Sequence, residues 1–171
     1  MSVTAFLARR RVTLGWLAGV VTLATASPTR ASLAAGFAVA VAGEAVRIWA
    51  AGHLEKSREV TRSGPYRWMR HPLYVGSSII AVGAIVAARS VPAAVVIALY
   101  MAATLTAAIR SEEAFLRQAF GDTYDRYRDA RAEPMPRQFS AARAMRNREY
   151  RGAAGVLGGF GLLALKLLWP V

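Results

Sequence analysis

Cysteine is absent from the 171 residues, and histidine occurs only twice, at His53 and His71. The first absence excludes disulfide scaffolds, thiolate zinc sites, iron–sulfur clusters and thiol nucleophiles. The second leaves little for a histidine-rich metal site, and no metal is assigned. Acidic residues are also scarce, 10 against 22 Lys plus Arg, which gives a net charge of +12. Phosphate-cradling G-x-x-x-x-G-K, zinc-binding H-E-x-x-H and nucleophilic G-x-S-x-G patterns are missing. Apolar residues are plentiful, at 55% of the chain with a mean hydropathy of +0.30. Such hydrophobicity rarely accompanies strong basic charge in a small soluble domain, so the distribution of the two decides the class.

The apolar residues fall into five blocks, read as spans over 12–29, 31–51, 73–88, 91–109 and 152–169. A membrane helix needs about 20 apolar residues, with about 17 as the practical minimum. The second, fourth and fifth blocks meet that length; the first and third need their flanks or a locally thin bilayer. With the N-terminus in the cytoplasm, 18 of the 22 basic residues fall in the inner segments, and the outer loops hold only Arg30 and Arg89. Arg47 lies within a span, and Lys166 can snorkel to the outer surface. This positive-inside asymmetry predicts one all-α membrane domain over residues 1–171. The expectation is a polytopic integral membrane protein of about five transmembrane helices in a bacterial inner membrane. Its partner is the lipid bilayer rather than nucleic acid, and no obligate protein partner is inferred.

A soluble bundle with a nucleic-acid-binding face would have to hide Val95–Leu99 and Gly158–Leu165 in a core that a chain of this size barely supplies. Arg9 to Arg11 followed by a short apolar run resembles a signal peptide. Pro28-Thr29-Arg30 then leads straight into another apolar block, which favours a first membrane helix. Gly15/Gly19 and Gly155/Gly159, each four apart, predict close helix approach. The run Gly159-Phe160-Gly161-Leu162-Leu163-Ala164 matches a dinucleotide-binding pattern, but it has no preceding strand and no following acid. It reads as helix packing.

Chemistry is expected where polar residues crowd the ends of the spans. The first such place runs from Thr61 to Gly76. Gly64-Pro65 marks a turn, and Pro72 suits the first position of a helix. The free backbone N–H groups near Leu73 and Tyr74 then offer a site for a carboxylate or phosphate. Tyr66, Trp68 and Tyr74 add aromatic surface for a flat ring or a sulfonium. The same composition also reads as a basic interfacial belt. The second place is residues 112–131, an amphipathic pattern for a helix lying along the inner surface, with Phe115, Leu116, Ala119, Phe120, Tyr124 and Tyr127 on one stripe. Glu112 and Glu113 stand out there as adjacent acids on a basic face. They serve either as ordinary solvated charges or as holders of a cation. Glu44 and Arg47, one turn apart in a span, predict an internal ion pair. Helix N-terminal amides, aromatic walls and two carboxylates suit a ligand with a carboxylate, an aromatic ring and a positive centre, as in S-adenosylmethionine.

At these residues the chain resembles the isoprenylcysteine carboxyl methyltransferase family and its bacterial relatives, which are themselves similar to phospholipid methyltransferases. The matching pieces are Arg47-Ile48-Trp49-Ala50, Ser63-Gly64-Pro65-Tyr66, Arg70-His71-Pro72-Leu73-Tyr74-Val75-Gly76, Glu112-Glu113, and Phe120-Gly121-Asp122-Thr123-Tyr124 with Tyr127. They cover about residues 43–137. The resemblance implies S-adenosylmethionine bound by Tyr66, His71, Pro72, Leu73, Tyr74 and Glu112 on the cytoplasmic side. It implies a lipophilic acceptor, foremost an isoprenoid or prenyl-linked carboxylate, with Arg110 as the nearest match to the family's acceptor-facing arginine. A carboxylate acceptor needs no base, whereas an amine acceptor would need Glu113 or His71 to take its proton. The alternatives are a phospholipid or small-molecule N- or S-methyltransferase, an NADPH-dependent membrane reductase of the sterol-reductase type, and a non-catalytic lipid-binding protein. The reductases share a related Arg-His-Pro-x-Tyr element, but here Leu73 replaces their usual Asn.

Overall fold

The computed structural model describes residues 3–168; of residues 3–9 and 11 only the helical backbone is described. The side chains of Arg9 and Arg11, and Trp169 at the end of the fifth block, therefore lie outside it. The chain is an all-helical, polytopic integral membrane protein. Its helices are α1 (Val3–Thr25), α2 (Arg30–Ala51), α3 (Pro72–Ala88), α4 (Val91–Arg128), α5 (Ala141–Arg146) and α6 (Tyr150–Leu168), with a 3₁₀ turn at Gly64–Arg67. Helices α2, α4 and α6 are long and apolar enough to cross a membrane, whereas Val12–Thr25 of α1 and all of α3 are shorter apolar segments.

The short connections force the helices up and down. Ser27 N–H donates to Ala88 C=O at 2.8 Å, which ties the α1–α2 turn to the end of α3. Thr29 and Ser32 cap α2 reciprocally. Lys166 does not simply snorkel. Its Nζ donates to the C=O groups of Leu23 and Ala24 at 2.6 and 2.9 Å, satisfying the last carbonyls of α1 with a cation at the negative end of the helix dipole. All of this lies at one end of the bundle. Long polar connections lie at the other end, and the candidate site is among them.

The tightest helix contact is α2 on α3. A Cβ at Gly43 would lie 2.7 Å from Gly76 C=O, and one at Gly76 would lie 2.6 Å from Gly43 C=O. Gly36 and Gly83 face each other in the same way two turns further along. The α2–α3 seam is thus at Gly36, Gly43, Gly76 and Gly83, and of the two pairs singled out by spacing Gly15 alone marks a close approach. Gly19, Gly155, Gly159 and Gly161 have nothing within 4 Å of an added Cβ, and Gly15 meets the Tyr100 ring. Repetition at four residues marks where helices are able to approach, but only burial shows where they do. Replacing Gly43 by Val is expected to cost about 1–3 kcal/mol by overpacking. Thermal unfolding in detergent checks this against Gly155→Val, which should unfold with the parent protein.

The fourth span and the helix predicted at 112–131 are one element. At roughly 1.5 Å per residue, α4 is about 57 Å long against about 30 Å of hydrocarbon, so its second half projects beyond the apolar layer. Gly121 interrupts it with φ +43° and ψ −122°, a conformation that L side chains avoid. The bend redirects the last two turns, carrying Tyr124 and Tyr127, over the segment before α3.

Candidate functional site

Three pieces of chain converge at the polar end. The 3₁₀ turn begins at Gly64, with φ +54°, where a Cβ would run into the His53 ring at 2.5 Å. His53 is buried against Ser63 Oγ at 3.1 Å, so it shapes the turn and does not reach the cavity. The turn buries Tyr66, and the Tyr127 hydroxyl of α4 donates to Tyr66 C=O at 2.9 Å. The bent end of α4 therefore holds the turn in place. His71 precedes Pro72, the first residue of α3, and makes no capping bond through its side chain. Instead its C=O accepts the N–H of Tyr74 at 3.0 Å. The N–H expected to be free at Tyr74 is thereby used, and Leu73 supplies the open donor of that turn among the described residues.

The His71 ring lies between the two glutamates of α4. Its Nε2 is 3.2 Å from Glu113 Oε1, and its Nδ1 is 3.7 Å from Glu112 Oε2. Arg70 Nη1 reaches the same Glu113 oxygen at 3.4 Å. Burial works against charge on His71, but hydrogen bonding and attraction from Glu112 and Glu113 outweigh it, and its pKa is raised. Both carboxylates are lowered: burial opposes this, yet bonds from His71 to each, with Tyr74 at Glu112 and Arg70 at Glu113, prevail. Burial also raises the Tyr66 and Tyr127 phenols, Tyr127 to about 12, so both are neutral donors at physiological pH.

The His71 contribution to stability is complete below its ordinary 6.5 and is lost as pH rises through its raised pKa. The glutamate contributions are complete above their ordinary 4.5 and are lost as pH falls through their lowered values. The unfolding temperature should therefore decline on the alkaline side of a plateau between these limits. His71→Gln should remove most of that decline, as read from melting curves between pH 5 and 9.

A cavity of 520 Å³ opens beside this cluster. Of the eight residues singled out in the sequence, Tyr66, Leu73, Tyr74 and Glu112 line it. His71, Pro72 and Glu113 do not line it, but His71 and Glu113 pair with the lining residues Glu112 and Arg70, respectively. Arg110 is exposed and lines neither this cavity nor its neighbour. From Glu112 the cavity runs back along Ala108, Ala107 and Thr104 of α4. One end is thus charged and the other apolar.

Sequence reasoning missed Lys56, Asn147 and Glu149, which also line it. Asn147 Nδ2 donates to the C=O groups of Ala51 and Leu54 at 2.8 and 2.9 Å, fastening the α5–α6 connection beneath the end of α2. Glu149 is buried and pairs with Arg47 Nη2 at 2.6 Å, while Glu44 Oε2 lies 3.4 Å from Arg47 Nε. The expected Glu44–Arg47 pair is therefore a triad. The signal for Glu149 was the one used for Glu112: an acid isolated in a basic run beside an apolar block.

The family model for phospholipid methyltransferase matches residues 32–123, more than half of the chain and most of the residues around the cavity. The chain belongs to the phospholipid methyltransferase family. Methyltransferases of this family generally use S-adenosylmethionine. This family member is 37% identical over 81 residues to the nickel-cobalt-cadmium resistance protein NccN of Alcaligenes xylosoxydans xylosoxydans, covering 46% of this chain and 38% of that protein. It is 40% identical over 78 residues to the cobalt-zinc-cadmium resistance protein CzcN of Cupriavidus metallidurans, covering 43% of this chain and 35% of that one. The matches thus span under two-fifths of these curated relatives. No solved structure matches.

Proposed function

We propose that this chain transfers a methyl group from S-adenosylmethionine to a lipophilic acceptor at the cytoplasmic face of a bacterial inner membrane, with five helices spanning the bilayer. The observation that carries the reading is the cavity itself, with Glu112, Tyr66 and Tyr74 at its polar end and an apolar wall of α4 running away from them. The residues fit the cofactor. Its volume is within the usual range of about 300–1,000 Å³ for small-molecule sites. Glu112 offers an anion to a positive centre, and the Tyr66 and Tyr74 rings offer flat surfaces. His71 Nδ1, 3.7 Å from Glu112 Oε2, backs that carboxylate from behind the lining.

When bound, S-adenosylmethionine supplies an electrophilic methyl group on sulfur. The chain supplies position and a dry site. Glu112 and the tyrosines bind and orient, Glu113 holds His71 and Arg70 in register, and the apolar stretch of α4 excludes water and admits the acceptor from the bilayer. We infer an isoprenoid or prenyl-linked carboxylate as acceptor: Lys56 and Arg70 line the cavity as cations, and a carboxylate needs no base. The relatives' names concern metal resistance. Among the described residues no group of three or more His, Asp or Glu side chains is arranged to hold a metal ion, and the proposal assigns none.

Incubating the purified protein and total lipid extract with methyl-labelled S-adenosylmethionine, followed by mass analysis, tests the reading. The expected product is an apolar, base-labile methyl ester. A labelled amine or thioether would replace the acceptor class. Absence of any transfer, with a nicotinamide cofactor bound in preference, would replace the reaction.

A further inference from the structure

A second cavity, of 360 Å³, backs onto the first, and Tyr66, Arg70 and Tyr127 face into both. Arg62, Arg67, Arg70 and Arg128 surround it, with Trp68 at its side. Two of these arginines are already matched: Arg70 by Glu113, and Arg128 by Asp125 and Asp129. The other two are not. Arg67 lies 6.0 Å from the Trp68 ring centroid and, like Arg62, has no carboxylate partner among the described residues. Arg62 Nε is shielded from solvent and has no hydrogen-bond partner. A buried donor left unpaired costs about 1–3 kcal/mol, so such atoms are normally satisfied by something.

The chemistry of that missing partner follows from the donors. Two unmatched guanidinium forks in one cavity suit the paired oxygens of a phosphate. The level of the cavity points to its source. Trp68 is 70% exposed and lies 5.8 Å from the half-exposed Trp49 ring near the end of α2. Exposed tryptophans beside the end of a span mark the headgroup layer.

We propose that this cavity binds the headgroup phosphate of an anionic phospholipid, with Arg62 and Arg67 as its donors. The site is separate from the methyl-transfer cavity and stands whether or not that activity is found. It also differs from diffuse attraction between a basic face and a charged bilayer, because it is saturable and depends on two named residues.

Full-length protein in neutral detergent, titrated with dioctanoyl phosphatidylglycerol and followed by native mass spectrometry, provides the test. Parallel arms use dioctanoyl phosphatidylcholine and inorganic phosphate. One saturable phosphatidylglycerol site is expected, at least 10-fold tighter than either comparison. Arg62→Gln combined with Arg67→Gln should weaken it at least 10-fold. Arg58→Gln, at an exposed arginine outside the cavity, should leave it unchanged. Arg67→Gln alone should weaken it several-fold, and it decides the matter if the double variant does not fold, since among the described residues the Arg67 head group makes no hydrogen bond or ion pair and lies over the Trp68 ring. Unchanged binding in these variants, an equal loss in Arg58→Gln, or inorganic phosphate binding as tightly as the lipid would each overturn the proposal.

Discussion

Glu112→Gln is expected to weaken S-adenosylmethionine binding by about 30- to 150-fold in calorimetry on the detergent-solubilised protein. The substitution keeps the shape of the side chain and removes its charge. Glu112 lines the cavity and is held ionised by His71 and Tyr74 against the cost of burial. A hydrogen bond to such a group contributes about 1.5–3 kcal/mol, and loss of attraction to a cationic ligand adds to it. About 2–3 kcal/mol corresponds to the stated range. Glu113→Gln is the informative companion. Its carboxylate faces Arg70 and His71 and does not line the cavity. It should cost stability and no more than a few-fold in affinity. Equal losses in the two variants would make Glu112 one more structural charge. Full affinity in Glu112→Gln would remove the assignment of this cavity to the cofactor.

The features of the site that proved readable were those in which sequence neighbours do the work. His71-Pro72 sets the start of α3 because proline fixes its own φ and restrains the residue before it. Glu112 and Glu113 were conspicuous because adjacent acids are rare on a face selected for positive charge. The same charge bias separated the apolar blocks and gave an all-helical membrane architecture. Contacts between residues far apart in sequence were not readable. The α2–α3 seam depends on which face each glycine presents, and the spacing of Gly155/Gly159 is as regular as anything in the seam. The continuity of α4 through residues 110–128 was hidden because hydrophobic periodicity changes where a helix leaves the bilayer, although the backbone continues. The bend at Gly121 shows no signal besides the glycine itself. Glu149 joins the site across more than 100 residues of chain from Arg47, and that closure depends on how α6 returns to α2.

That closure gives the largest expected effect on stability. Arg47→Met should destabilise the protein by about 3–5 kcal/mol, the usual result of removing one partner from a buried charge group. Methionine fills much of the volume, so the loss is mainly electrostatic. Glu44 and Glu149 are 6% and 7% exposed, and Arg47 is the cation between them. Without it, two carboxylates would share one poorly solvated space. Ser77 would also lose the guanidinium donor that links this group to α3. Gly152 presses α6 against the same charges, since a Cβ there would sit 3.0 Å from a Glu149 oxygen and 3.1 Å from a Glu44 oxygen. Thus α6 is fastened to α2 beside the cavity by charge at close range, while its far end is held by Lys166 on α1. Combining Arg47→Met with Glu44→Gln and Glu149→Gln should recover most of the loss, because the uncompensated charges are removed together. Melting temperatures of the single and triple variants in one detergent check this. A triple variant no more stable than Arg47→Met would assign the effect to packing. An Arg47→Met protein that melts with the parent would show that α6 is held by its apolar face alone.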